Sequence, residues 1–263
     1  MLPDVYTRTL VDNRRGLIAW AVGTAAIGLM YAAFYPQVSA GGTAEMVESY
    51  PEAMRAALRL DDFASAAGYL GSTVFGLLLP LLMMAFGVTF GARAVAGDEE
   101  SGYLDLLLAH PLGRMSLAVQ RFAGLVTGAI AIAALVFLGM LAVRPAADLD
   151  EVGVGRLAAQ CVQLALLGIT FGALAIGLGA ALGKRVPALA TAAGLGVLTY
   201  VLGNLAGVIG ADWLKYLSPF HYYIGAEPLR NGMPWADAAV LVVVALVLVT
   251  TGFLRFQRRD LRS

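Results

Sequence analysis

Cutting the chain at every Asp, Glu, Lys and Arg leaves six long stretches without charge: residues 16–44, 63–92, 122–143, 157–183, 186–211 and 238–254. Each is near or above the roughly 17–25 residues a helix needs to cross about 30 Å of hydrocarbon. Six of them cannot all be hidden inside a soluble domain of 263 residues. The rest of the composition agrees. Hydrophobic residues make up 59% and charged residues 14%, against roughly 45–50% and 25% in soluble domains. A spanning barrel would alternate polar and apolar residues over short segments, and a run such as AAVLVVVALVLV at 238–249 does not. The expected fold is therefore an all-α polytopic membrane protein, a single transmembrane domain over residues 1–263. Its six transmembrane helices are expected at about 17–36, 66–92, 116–143, 157–183, 187–210 and 237–254.

Six spans put both termini on one side of the bilayer. That side then holds Arg8, Arg14, Arg15, Arg93, Arg114, Arg121, Lys184, Arg185, Arg255, Arg258, Arg259 and Arg262, and the other holds Arg55, Arg59, Arg144, Arg156, Lys215 and Arg230. Twelve basic residues against six place the termini in the cytoplasm by the positive-inside rule. A formal net charge of zero conceals this asymmetry and gives no case for a nucleic-acid partner. A cleaved secretory signal is the competing interpretation of the N-terminus, because Arg14-Arg15 precede an apolar run ending at Val38-Ser39-Ala40. That run is about twice the usual 7–15 residues.

Before the first span, Leu2, Val5, Tyr6, Thr9 and Leu10 recur at helical spacing with Asp4, Arg8 and Asp12 between them. This predicts an interfacial helix over 1–16, with a frayed tail as the alternative. The external loop after Tyr35-Pro36 is acidic and predicts a helix near 51–60. Pro80, near the middle of the second span, predicts a kink. Small-residue pairs recur at Gly87/Gly91, Gly124/Gly128, Gly168/Gly172, Gly179/Gly183 and Gly203/Gly207. Such pairs let helix backbones approach closely and support tight packing, without locating a dimer face. Trp213, Tyr216, Tyr222, Tyr223 and Trp235 gather at the outer boundary, where amphipathic rings settle.

Several chemistries have no residues to carry them. The six uncharged stretches hold no His either, so they lack the usual coupling groups of ion-driven carriers. Residues 177–185, GLGAALGKR, lack the first glycine of a phosphate loop, and Arg185 replaces the Ser/Thr that would hold magnesium. His110 and His221 fall on opposite sides of the membrane, so no metal site follows. Cys161 is the one cysteine, which excludes an internal disulfide.

What remains is a charged and amphipathic island at 97–114, GDEESGYLDLLLAHPLGR, inside the loop at 93–115. Ser101 can cap a helix starting at Gly102 or Tyr103, with Asp98, Glu99 and Glu100 near its positive end. Leu104, Leu107 and Leu108 then share a face, flanked by Tyr103 and Leu106. Pro111-Leu112-Gly113 ends the helix and Arg114 opens the next element. Such a helix can receive a push from a cytoplasmic protein, or it can rest its leucines in lipid.

The island resembles the intracellular loop of type-2 ABC exporter permeases, whose pattern is roughly E-x-x-G-T-L-E-x-L-L-x-x-P-x-S-R. Tyr103, Asp105 and Gly113 stand where that pattern has Thr, Glu and Ser. Ser218-Pro219-Phe220-His221-Tyr222, within LSPFHYY at 217–223, is similar to a stretch found before the last span in many of these permeases. The resemblance covers essentially the whole chain. It implies a non-catalytic membrane subunit of an ATP-driven exporter, paired with a second permease subunit and two cytoplasmic ATPase subunits. ATP and magnesium would sit on the partner, with no cofactor on this chain. It also implies that the island is a coupling helix, with Glu99, Glu100, Gly102, Leu104, Leu107, Leu108, Pro111 and Arg114 at the ATPase. The segment between the last two spans would re-enter the outer leaflet. The mostly apolar path favours a lipophilic or amphipathic cargo in a bacterial-type inner membrane. The alternative from another class is a membrane-anchored assembly or immunity protein that moves nothing.

Overall fold

A computed structural model describes residues 5–41, 46–47, 49–52, 54–55, 60, 62–94, 96–100 and 114–258. Among them are six helices long and apolar enough to cross a membrane, and no strand. The elements are α1 (Val5–Ala32), α2 (Tyr35–Ala40), α3 (Ala66–Tyr69), a π-helical stretch (Leu70–Leu78), α4 (Leu79–Ala94), α5 (Ala96–Glu100), α6 (Arg114–Val143), α7 (Val154–Leu182) and α8 (Arg185–Leu205). A 3-10 turn (Asp212–Leu217), α9 (Pro219–Ile224), α10 (Pro228–Asn231) and α11 (Trp235–Arg258) follow. The helix expected near 51–60 falls mostly outside the described residues; Met54 and Arg55 each donate a backbone N–H to the Pro51 carbonyl.

The central helix is α7. It packs against α4, α6, α8 and α11 and against the short helices α9 and α10. Its 29 residues span about 43 Å at about 1.5 Å per residue, enough to cross the hydrocarbon with turns to spare. Glycine permits a close approach between α4 and α7. A Cβ on Gly87 would fall onto the carbonyl oxygen of Gly168, and one on Gly91 onto that of Gly172. Two of the small-residue pairs therefore face each other across one interface. A similar contact joins α7 to α11, where a Cβ on Gly252 would collide with the Gly177 backbone.

The interfacial helix expected over 1–16 is not a separate element: α1 runs unbroken from Val5 to Ala32. Its first turns are fastened to α6 by polar contacts that no local pattern reveals. The Tyr6 N–H donates to Gln120 Oε1 at 2.9 Å, and the Tyr6 and Thr127 hydroxyls meet at 2.9 Å. Val5 and Thr9 are buried there. No proline or close pair of glycines interrupts the helix between these turns and the first span.

Helix α3 starts with Ser65, whose Oγ accepts the Gly68 N–H at 3.0 Å in an N-cap. The chain then widens into nine π-helical residues before Pro80. The discontinuity is therefore longer than the proline kink expected from sequence. Pro80 has no N–H to offer the carbonyl of Gly76, four residues earlier. The Tyr200 hydroxyl on α8 donates to that carbonyl at 3.1 Å. A proline in one helix is thus compensated from another, as a backbone in hydrocarbon requires.

Candidate functional site: the charged end of the bundle and the short helices opposite

At the end of the bundle that carries the termini, α4 closes with Arg93 in its last turn and α5 follows with the three acids. The acids lie within this short helix. The Glu100 carboxylate accepts the backbone N–H of Arg185 at 2.9 Å. Arg185 is the first residue of α8, and Lys184 before it supplies no side-chain cap. A helix start leaves its first amides without intrahelical partners and carries positive partial charge. Glu100 satisfies one of these amides from 85 residues away in sequence. The preceding turn is made by Gly183, at φ 64°, whose N–H returns to the Gly179 carbonyl as α7 ends.

Of the residues expected at the coupling helix, Gly102, Leu104, Leu107, Leu108 and Pro111 lie outside the described residues. Glu99 falls within α5 and Arg114 opens α6, but the side chains of both are outside the described set. Glu100 is the one described with its side chain, and it joins the loop to the fifth span.

Sequence patterning missed Arg121. It sits two turns into α6, only 8% exposed, and its Nη1 donates to Thr9 Oγ1 at 3.0 Å. Thr9 Oγ1 donates in turn to the Val5 carbonyl at 2.7 Å. Arg93, Arg121 and Arg185 line a cavity of about 240 Å³, and a neighbouring cavity of about 280 Å³ shares Arg93 and Arg185.

At the opposite end, proline punctuates the chain. Pro219 and Pro228 each take the first helical positions of α9 and α10, where a missing N–H costs nothing. Ser218 is buried and presses against α8 at Gly203, where a Cβ would come within 2.8 Å of its Oγ. The Phe220 ring lies 5.3 Å from Phe171 of α7 and 5.0 Å from Tyr200 of α8. The Tyr222 carbonyl accepts from Gln163 Nε2 at 3.2 Å, and its hydroxyl donates to the Tyr216 carbonyl at 3.0 Å. His221 sits edge-on to the rings of Tyr216 and Tyr222. Ser218, Pro219, Phe220, His221 and Tyr222 thus form one unit bound to α7 and α8. Through Tyr200 that unit reaches the Gly76 carbonyl freed by Pro80.

Two glutamines on α7 also escaped the sequence patterns. Gln160 and Gln163 are fully buried, and the Gln160 side chain has no hydrogen-bond partner among the described residues. A charge-based scan passes over neutral amides, yet a buried one is costly without a partner. Arg230 anchors the neighbouring α10 by ion pairs to Asp62 and Glu227. A further cavity of about 590 Å³ between α6, α7 and α11 is walled by apolar groups such as Phe122, Phe137 and Ile169. Among the described residues, no charged side chain lines it.

The fold is that of a polytopic helical membrane protein with charged loops at one end and ordered short helices at the other. The sequence profile of the ABC-2 family transporter protein matches residues 5–261, and the chain belongs to that family. A relative in Pseudomonas aeruginosa, the probable ABC transporter permease protein NosY, is 30% identical over 220 residues, covering 70% of this chain and 79% of the relative. The chain is a transmembrane ABC transporter permease, and its family implies association with an ABC ATPase subunit.

Proposed function

We propose that the chain is the non-catalytic half of an ATP-driven exporter in the cytoplasmic membrane of a bacterial-type cell. Two copies of a cytoplasmic ATPase bind and hydrolyse ATP with magnesium. The permease pairs with a second permease subunit, most simply another copy of itself. The island at 93–115 is the coupling element. Glu99, Glu100 and Arg114 meet polar groups of the ATPase, while Leu104, Leu107 and Leu108 enter its groove. Gly102 and Pro111 set the angle of the helix. The observation that carries this reading is the Glu100 contact with the Arg185 amide. A push on the loop between the second and third spans is thereby delivered to the start of the fifth. Few of that helix's own residues are buried, and its exposed face carries Thr191, Gly194, Leu198 and Val201. Small residues on such a face suit a second permease half.

The outer unit at 212–231 dips into the outer leaflet and caps the path. Irregular backbone at that depth requires protein cover, which α7 and α8 provide. The path between the halves is mostly apolar, and the cargo is lipophilic or amphipathic. ATP-dependent accumulation of a fluorescent amphiphile in inverted vesicles tests the direction. No accumulation, with the ATPase bound and active, would refute export of such a cargo.

The orientation has its own test. With Cys161→Ala as background, Gly41→Cys and Arg262→Cys are expected to react with an impermeant thiol reagent from opposite sides. Residue 262 should label only in inverted vesicles. Labelling of both positions from one side would overturn the six-span arrangement.

A further inference from the structure

The two cavities at the end bearing the termini adjoin each other and differ in character. The first is walled by Arg93, Arg121, Arg185, Asn13 and Thr9, where α1, α4, α6 and the start of α8 converge. The second shares Asn13, Arg93 and Arg185 but continues along α1 and α4 past Leu17, Trp20 and Phe86. Trp20 meets Phe86 edge-on at 6.1 Å, and Phe86 meets Phe90 at 5.7 Å, so an aromatic wall descends from the arginines into the apolar zone. None of the described residues lining either cavity is acidic. The described carboxylate nearby, Glu100, is engaged with the Arg185 backbone amide. Arg185 also stands at the positive end of α8.

We propose that this cleft binds the phosphate-bearing headgroup of an anionic amphiphile, taken from the leaflet on the side of the termini. Arg93 and Arg185 grip the headgroup at the mouth, and guanidinium forks match phosphate oxygens in pairs. Arg121, held by Thr9, forms the inner wall. One acyl chain lies along Leu17, Trp20 and Phe86. Basic pockets between membrane helices commonly take phosphate headgroups. The two cavities, of about 240 and 280 Å³, together give room for a headgroup and the upper part of a chain. A free inorganic phosphate would use the arginines and leave the aromatic wall idle, which favours the lipid as the source. The proposal concerns binding alone and does not depend on the bound amphiphile being cargo.

The test compares the purified chain in mixed micelles titrated with phosphatidylglycerol or with phosphatidylcholine, read by native mass spectrometry. The wild-type chain is expected to retain phosphatidylglycerol in preference. The double variant Arg93→Gln/Arg185→Gln should lose that preference by about thirtyfold, since each basic residue near an anionic surface is worth roughly fivefold. Arg93→Lys/Arg185→Lys should keep part of it. Arg255→Gln, which removes a charge at the same end but outside the cleft, should keep all of it. Elution of the variants as wild type on size exclusion checks that the fold survives. Inorganic phosphate should fail to displace the lipid; displacement at equal concentration would make this a site for the soluble anion and overturn the lipid assignment. An equal preference for both lipids in the wild type would overturn the site. So would unchanged selectivity in the double glutamine variant, or an equal loss in Arg255→Gln.

Discussion

Leu107→Asp is expected to strip the ATPase from the permease while leaving all six spans inserted. In the proposed coupling helix, Leu107 shares an apolar face with Leu104 and Leu108. It lies in the loop between the second and third spans, so the charge is not placed in a transmembrane stretch. Burying an unpaired carboxylate at an apolar contact costs several kcal/mol. Every ~1.4 kcal/mol is tenfold in affinity, so the complex should weaken by about a hundredfold or more. Glu99→Lys should weaken it only mildly and in a salt-dependent way, because an exposed ion pair is worth ~0–1 kcal/mol. Titrating the purified ATPase against each permease variant in nanodiscs gives the affinities directly. Wild-type affinity for Leu107→Asp would put the leucine face in lipid or solvent and remove the coupling role.

The second large effect belongs to the α4–α7 contact. Gly87→Ala places a methyl group onto the Gly168 carbonyl oxygen, a backbone atom that cannot rotate away. The helices must part along a seam where the buried Met83 of α4 already packs against Gly168 of α7. Overpacking a well-filled core costs about 1–3 kcal/mol, and a backbone collision belongs at the upper end. Gly23→Ala is the matched control, since a Cβ there meets nothing within 4 Å. Thermal unfolding in detergent should show Gly87→Ala clearly destabilised and Gly23→Ala unchanged. Equal stability of the two would mean that α4 and α7 do not pack through these glycines.

The six spans were legible because lipid forbids uncompensated charge, and absence of charge is a one-dimensional signal. Their partners were not. Gly87/Gly91 and Gly168/Gly172 each marked a close-packing stripe, but only three dimensions show that the two stripes meet. The same limit explains α1. Its polar first turns matched an interfacial helix until Gln120 and Thr127 of α6 supplied partners for Tyr6. Pro80 was visible, while the π-helical residues before it and the Tyr200 hydroxyl that serves Gly76 were not. The short helices α9 and α10 each begin on a proline, where a missing N–H costs nothing. At the charged end, the acids were legible as a group, but the Glu100 contact with Arg185 joins segments 85 residues apart. Arg121 counted only as a basic residue near a membrane boundary. Nothing in its neighbours announced a buried contact with Thr9.

The most direct measurement of the central claim is ATP hydrolysis by the complex isolated through this chain. Purified gently from its own membranes, the wild-type chain should bring an ABC ATPase in equal number, two of each per particle. Magnesium-dependent hydrolysis should rise when an amphipathic cargo is added. The Leu107→Asp chain should purify in the same amount with neither the ATPase nor the hydrolysis. A wild-type chain that emerges alone, or a Leu107→Asp chain that retains a cargo-stimulated ATPase, would contradict the account.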